Sequence, residues 1–203
     1  MMNTKLTETI LKAKSQTIDQ SRHQVLHQVI HYVQQKVDSN QPIQLNFICT
    51  HNSRRSQLSQ IWAKTAAVYY QIPLESFSGG VEVTAFNERA VESCKRLGFE
   101  VEIKLVGENP HYQISFDVGN TTTLFSKVYD DPINPQSGFA AVMTCSDADE
   151  NCPFIPGAEA RIPLRYEDPK AFDGTSIEGE KYDERSIQIA SEMFYIFEKI
   201  KLN

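Results

Sequence analysis

From Ile43 onward the spacing of apolar residues changes period several times, and each change marks an element. Ile43 to Ile48 leans apolar and predicts a strand over about 43 to 48. From Arg54 or so to Tyr70, Leu58, Ile61, Trp62, Thr65 and Val68 recur at three- and four-residue steps, one side of a helix. Pro73 ends the connection, and Leu74 to Ser78 reads as a second strand stopped by Gly79-Gly80. Thr84 is expected to cap a helix carrying Phe86, Ala90, Val91, Cys94 and Leu97, with Gly98 as its C-terminal stop. Phe99, Val101 and Ile103 give a third strand. Alternation of strand and helix over about 60 residues argues for an α/β fold: an open parallel sheet with helices on both faces.

Residues 105–138 read as an irregular insertion with one or two short strands, since Tyr112, Ile114 and Phe116 alternate. Phe139 to Thr144 is a continuous apolar run, as a fully buried parallel strand requires. Ile187, Ile189, Met193, Ile196, Phe197 and Ile200 mark a C-terminal amphipathic helix. Ahead of all this, Leu6, Ile10 and Leu11, then Val25 to Val37, form two helices broken near Asp19 to Ser21. The expected organisation is an N-terminal helical extension, 1–40, and one domain, 41–203.

The composition narrows the partners. The chain has 203 residues, 40% hydrophobic and 23% charged, ordinary for a soluble globular protein. A net charge of -6 without a basic tract argues against nucleic acid and anionic membranes. No apolar run approaches the ~20 residues of a membrane span, and the N-terminus lacks a signal-peptide core. The cytoplasm is the expected compartment, where Cys49, Cys94, Cys145 and Cys152 are thiols, ligands or redox-active groups in preference to structural staples.

The first predicted strand ends in Cys49, followed by Thr50, His51, Asn52, Ser53 and Arg54, then Arg55 and Ser56 at the helix start. If this loop wraps, its N–H groups point to the sulfur and the helix N-terminus adds partial positive charge. Such a place binds a tetrahedral oxyanion and favours a thiolate nucleophile. Arg55 is the residue type that grips two anion oxygens at once. Against this stands the commoner fate of a cysteine at a strand end, a small buried hydrophobe.

The second apolar strand also ends in a cysteine. Cys145 and Cys152 flank a loop of small and acidic residues, which has little to pack and can move. Two sulfurs with six residues between them and no nearby histidine make a poor zinc site, so no metal or other cofactor is expected. Two incidental thiols remain a fair reading, while a mobile linker favours a dithiol able to close into a disulfide. In open α/β sheets functional groups gather at strand carboxyl ends, where Cys49 and Cys145 both fall. Cys94, mid-helix, reads as core. Asp168, in an Asp-Pro turn, is the most plausible acid for a leaving oxygen, although such turns are usually only turns.

Together these residues resemble the thioredoxin-coupled arsenate reductases that share the low-molecular-weight protein tyrosine phosphatase fold. The likeness covers about residues 43 to 200. It rests on Phe-Ile-Cys-Thr-x-Asn-Ser-x-Arg-Ser-Gln (47 to 57), Cys-Ser-Asp-Ala-Asp-x-Asn-Cys-Pro (145 to 153) and Asp168-Pro169. The resemblance implies that Cys49 attacks arsenate held by Arg55 and the N–H groups of residues 50–56, while Asp168 protonates the departing oxygen. It implies further that Cys145 attacks the Cys49 adduct, Cys152 then attacks Cys145, and thioredoxin reduces the Cys145–Cys152 disulfide. Asn52 and Ser56 are expected to hold the loop. His51 stands where the family usually has glycine, and Arg54 replaces a frequent cysteine. A phosphatase acting on phosphomonoesters through Cys49, Arg55 and Asp168 is the alternative, since arsenate and phosphate are near-isosteric. A non-catalytic oxyanion-binding or redox-sensing module is the third.

Overall fold

A computed structural model describes residues 2–151 and 154–202. Its centre is a four-stranded parallel sheet made of β1 (Ile43–Cys49), β2 (Leu74–Gly80), β6 (Phe139–Met143) and β7 (Ala158–Ile162), in the order β2-β1-β6-β7. The chain leaves β1 for β2 on one side and finds β6 on the other. The carboxyl ends of β1 and β6 therefore lie side by side at a topological switch point, with Ile48 opposite Met143. Cys49 and Cys145 follow those two residues at once or one step later.

Side chains alternate across this sheet. Leu45, Phe47, Ala140, Val142 and Ile162 face the main core, which α3 (Arg55–Tyr69), α4 (Glu88–Arg96) and α6 (Glu178–Glu198) cover. Trp62 on α3 sits at its heart, edge-on to Phe99 at 4.8 Å and donating to Ser186 Oγ at 2.8 Å. Ile48, Ala141 and Met143 face the other way, where Ala148 of the short helix α5 (Ser146–Asn151) and Ile155 cover them, and Cys49, the last residue of β1, joins the same cluster.

The N-terminal helices α1 (Thr4–Lys14) and α2 (Gln20–Asp38) dock on the same main core through Leu6, Ile10, Leu26, Val29 and Val33. Asn3 caps α1 and also donates to Gly98 O at 2.8 Å. Gly98 has φ +102°, and a Cβ there would lie 2.4 Å from Leu6 N, so this glycine both ends α4's turn and lets α1 approach. Arg22 of α2 makes a two-pronged ion pair with Glu192 of α6, at 2.9 and 2.8 Å, and Glu192 is buried.

Three expectations are corrected. The third strand, β3 (Glu100–Leu105), is not part of the parallel sheet but pairs antiparallel with β4 (His111–Asp117), which pairs with β5 (Asn120–Leu124). Its alternation is that of a strand with one wet face, which serves either sheet. Thr84 does not cap α4; Asn87 does, accepting from Arg89 N. The segment after Cys145, expected as a mobile linker, is helical over Ser146–Asn151.

Candidate active site

The loop after β1 is built to present its backbone. Asn52 is the residue that turns it, with φ +46°, a left-handed conformation that asparagine tolerates better than most. Gly80, at the end of β2, lies so close that a Cβ would meet Asn52 N at 2.7 Å and Thr50 O at 2.8 Å. His51 stays out of the left-handed region, so no glycine is needed there. Its carbonyl accepts from Thr84 Oγ1 and Ser126 Oγ, and its exposed ring lies 3.4 Å from Glu82 Oε2. Ser53 Oγ donates to Ala85 O at 2.7 Å. Among the described residues, no hydrogen bond takes up the N–H groups of His51 to Gln57. Arg54 sits at the N-cap of α3 without a side-chain cap, so the helix terminus too leaves its first N–H groups without a side-chain acceptor.

Asn52 also orients the nucleophile's neighbour. Its Oδ1 accepts from the Lys127 N–H at 3.0 Å, which fixes the amide's orientation, because a backbone N–H can only donate. Nδ2 must then donate to Ser56 Oγ, 2.9 Å away. With one lone pair so filled, the Ser56 hydroxyl, 3.0 Å from Cys49 Sγ, can either accept from the thiol or donate to the sulfur. Once Cys49 is a thiolate the sulfur can only accept, and Ser56 is then the donor that stabilises it. Lys127, whose backbone sets this chain of bonds, comes from the 105–138 insertion and bonds to β2 as well, Gly80 N donating to its carbonyl.

Arg55 reaches across to the segment after β7. It donates to Tyr166 O at 3.1 Å and to Asp168 Oδ2 at 2.8 Å, while its Nε is buried without a partner among the described residues. Asp168 caps a short 3₁₀ turn, Pro169–Phe172, with Oδ1 accepting from Lys170 N. The fork and the carboxylate, 113 residues apart in sequence, thus meet at the loop.

Cys145 is buried beside the loop. Thr50 Oγ1 lies 3.5 Å from its sulfur and donates to Asp147 Oδ2 at 2.7 Å, so the first loop is stitched to the second cysteine segment. Cys49 and Cys145 share one buried cluster. Asp149 on α5 is buried and held by Arg161 and Arg165. Cys152 lies outside the described residues. Cys94 is fully buried on α4, and burial pushes its thiol up to about 12, as befits a core residue.

Over 124 residues the chain is 32% identical to arsenate reductase 2 of Staphylococcus epidermidis, a match covering 61% of this chain and 76% of the relative. The chain belongs to the arsenate reductase family. The arsenate reductase of Staphylococcus aureus (strain Newman) is equally similar, 32% over 126 residues with the same coverage. No family model matches the chain. In fold it is similar to the low-molecular-weight protein tyrosine phosphatase of T. tengcongensis, with a TM-score of 0.52, 16% identity, and 78% of this chain and 99% of that one covered.

Within this family setting, several residues at the site carry no local sequence signal. Tyr182 of α6 and Asp173 both engage Arg54: Nε donates to Tyr182 Oη at 2.9 Å, and Asp173 Oδ2 lies 3.7 Å from the guanidinium. Lys127 is another, found only through its backbone. Among the described residues no cluster of three or more His, Cys, Asp or Glu could hold a metal ion, and no helix is long and apolar enough to cross a membrane.

Proposed function

We propose that this protein reduces arsenate to arsenite, with Cys49 as nucleophile. The observation that carries the reading is the set of N–H groups from His51 to Gln57 that are untaken among the described residues, in the same loop as Arg55 and a serine hydroxyl 3.0 Å from the Cys49 sulfur. That set suits a tetrahedral oxyanion in contact with a thiolate. Cys49 attacks the arsenic, and Asp168 gives its proton to the oxygen that leaves as water. Its pairing with Arg55, 2.8 Å away, holds that carboxyl at the loop. Cys145 then attacks Cys49 Sγ: the sulfur–sulfur bond forms, the sulfur–arsenic bond breaks, and its electron pair stays on arsenic as arsenite. Two thiols are oxidised by the two electrons that arsenic gains.

The family likeness supports the remaining steps, in which Cys152 attacks Cys145 and frees Cys49, and thioredoxin reduces the resulting disulfide. This chemistry requires reduced thiols, and the cytoplasm is the compartment it suits.

The test is a thioredoxin-coupled arsenate assay with Cys152→Ser, run beside hydrolysis of a simple phosphomonoester. Under this reading the variant gives one arsenite per protein and then stops, while any phosphomonoester hydrolysis through Cys49 persists. Undiminished multiple turnover by Cys152→Ser would refute the relay. Phosphomonoester hydrolysis with no arsenite from the unaltered protein would favour the phosphatase reading.

A further inference from the structure

The two arginines of the loop are consecutive, yet their surroundings give them different tasks. Arg55 has a spare buried Nε and one strong ionic partner, Asp168. Arg54 is held from three sides. Its Nε donates to Tyr182 Oη at 2.9 Å, and Tyr182 in turn donates to Asp173 Oδ1 at 2.8 Å. Asp173 is itself flanked by Arg89 at 3.8 Å, which Glu178 also holds at 2.7 Å. The third neighbour is Asp168, whose Oδ1 lies 3.9 Å from Arg54 Nε.

We propose that Arg54 is a positioning residue for Asp168 and not a ligand of the oxyanion. This rests on the reading that the Cys49 loop binds an oxyanion and that Asp168 donates a proton there. An anion in the loop draws the Arg55 fork toward itself, and Asp168 loses its 2.8 Å partner. A carboxylate left beside a bound dianion is repelled by it. Among the described residues, the favourable neighbours left to Asp168 are the Lys170 N–H and Arg54. Arg54 does not follow Arg55 to the anion, because leaving would break its hydrogen bond to the Oη of the buried Tyr182 and leave Asp173 with Arg89 as its one cation among the described residues. The outcome is a hand-over: Asp168 is shared between two guanidinium groups in the free protein and held in place by Arg54 once substrate arrives, until it takes up the proton that it passes to the leaving oxygen. Tyr182 and Asp173 are the fixed frame that makes this possible.

A binding cycle tests this without turnover. Inorganic phosphate is titrated calorimetrically into the unaltered protein, Arg54→Met, Asp168→Asn and the double variant, with thermal unfolding confirming that each folds. Arg54→Met is expected to weaken phosphate by about fivefold, because Arg55 becomes the sole cation for Asp168. In the Asp168→Asn background the same change is expected to have almost no effect. Tyr182→Phe, which frees Arg54, shows a smaller effect of the same kind that also vanishes with Asp168→Asn. Equal weakening in both backgrounds would make Arg54 a direct anion ligand and overturn the proposal. No weakening in either, with only lower thermal stability, would make it a structural staple and overturn it equally. Arsenate turnover is read separately, so a protein that binds phosphate without reducing arsenate defeats the functional reading while the cycle still decides Arg54. An unaltered protein that bound no phosphate would overturn both.

Discussion

Replacing Ser56 by alanine isolates the hydrogen bond to the nucleophile. Ser56 is fully buried, so the substitution removes one oxygen and leaves the backbone at the start of α3 in place. Two bonds are lost: the hydroxyl's bond with Cys49 Sγ at 3.0 Å, a donation once the sulfur is a thiolate, and its acceptance from Asn52 Nδ2 at 2.9 Å. The second loss strands a buried amide N–H and should lower stability by about 1–3 kcal/mol. The first acts on reactivity. A hydrogen bond to a charged group is worth about 1.5–3 kcal/mol, which corresponds to a fall of roughly 10- to 100-fold in the thiolate reaction. The assay is the rate of iodoacetamide alkylation of Cys49 at neutral pH, located by mass spectrometry, with Cys94 as the buried internal reference. An alkylation rate within about twofold of the unaltered protein, in a variant that still folds, would refute the assignment of Ser56 as donor to the thiolate.

Arg22→Met should cost about 3–5 kcal/mol in urea unfolding, because it abandons the buried Glu192 carboxylate; a loss under ~1 kcal/mol would mean that this pair is solvated after all. Lys127 gives a pH signature. Burial lowers its amine to about 8, well below the usual 10.5, so between those values the unfolded chain binds more protons than the folded one. Stability contributed by this group therefore rises as pH increases above about 8. Cys94, raised by burial to about 12 from 9.0, pulls the other way above pH 9. The clean window is pH 8 to 9: the unaltered protein gains stability there, and Lys127→Met, measured by denaturant midpoint, should lose that slope and be more stable at pH 7. A Lys127→Met protein that kept the slope would assign it elsewhere.

What could be read from the chain follows how local the cause is. β1, α3, β6 and α6 are legible because each buries a face whose period shows in the residues themselves. β3 is legible as a strand but not in its pairing, since Val101 and Ile103 alternate the same way whichever sheet they join. β7 was not visible at all: Ala158 to Ile162 reads Ala-Glu-Ala-Arg-Ile, and only the neighbouring β6 makes it a strand. α5 hides in a run of small and acidic residues, steadied by Arg161 and Arg165 from further along the chain. The site divides likewise. Residues 49 to 56 announce themselves by spacing, and Asp168 through the family likeness. Tyr182, Asp173 and Lys127 reach the loop by tertiary contacts, so their role has no signature nearby.

Arg22 does more than close an ion pair between α2 and α6. The same guanidinium donates to Arg165 O at 2.9 Å and lies over the Tyr166 ring at 5.1 Å. Tyr166 supplies the carbonyl that receives Arg55, and its own N–H is anchored on Thr144, next to Cys145. A line of contacts thus runs from the second N-terminal helix to the arginine and the cysteine of the pocket. A minimal catalytic module cut at residue 41, or a graft of this loop onto a phosphatase scaffold lacking these helices, would lose the brace behind Tyr166 while keeping every residue of the loop.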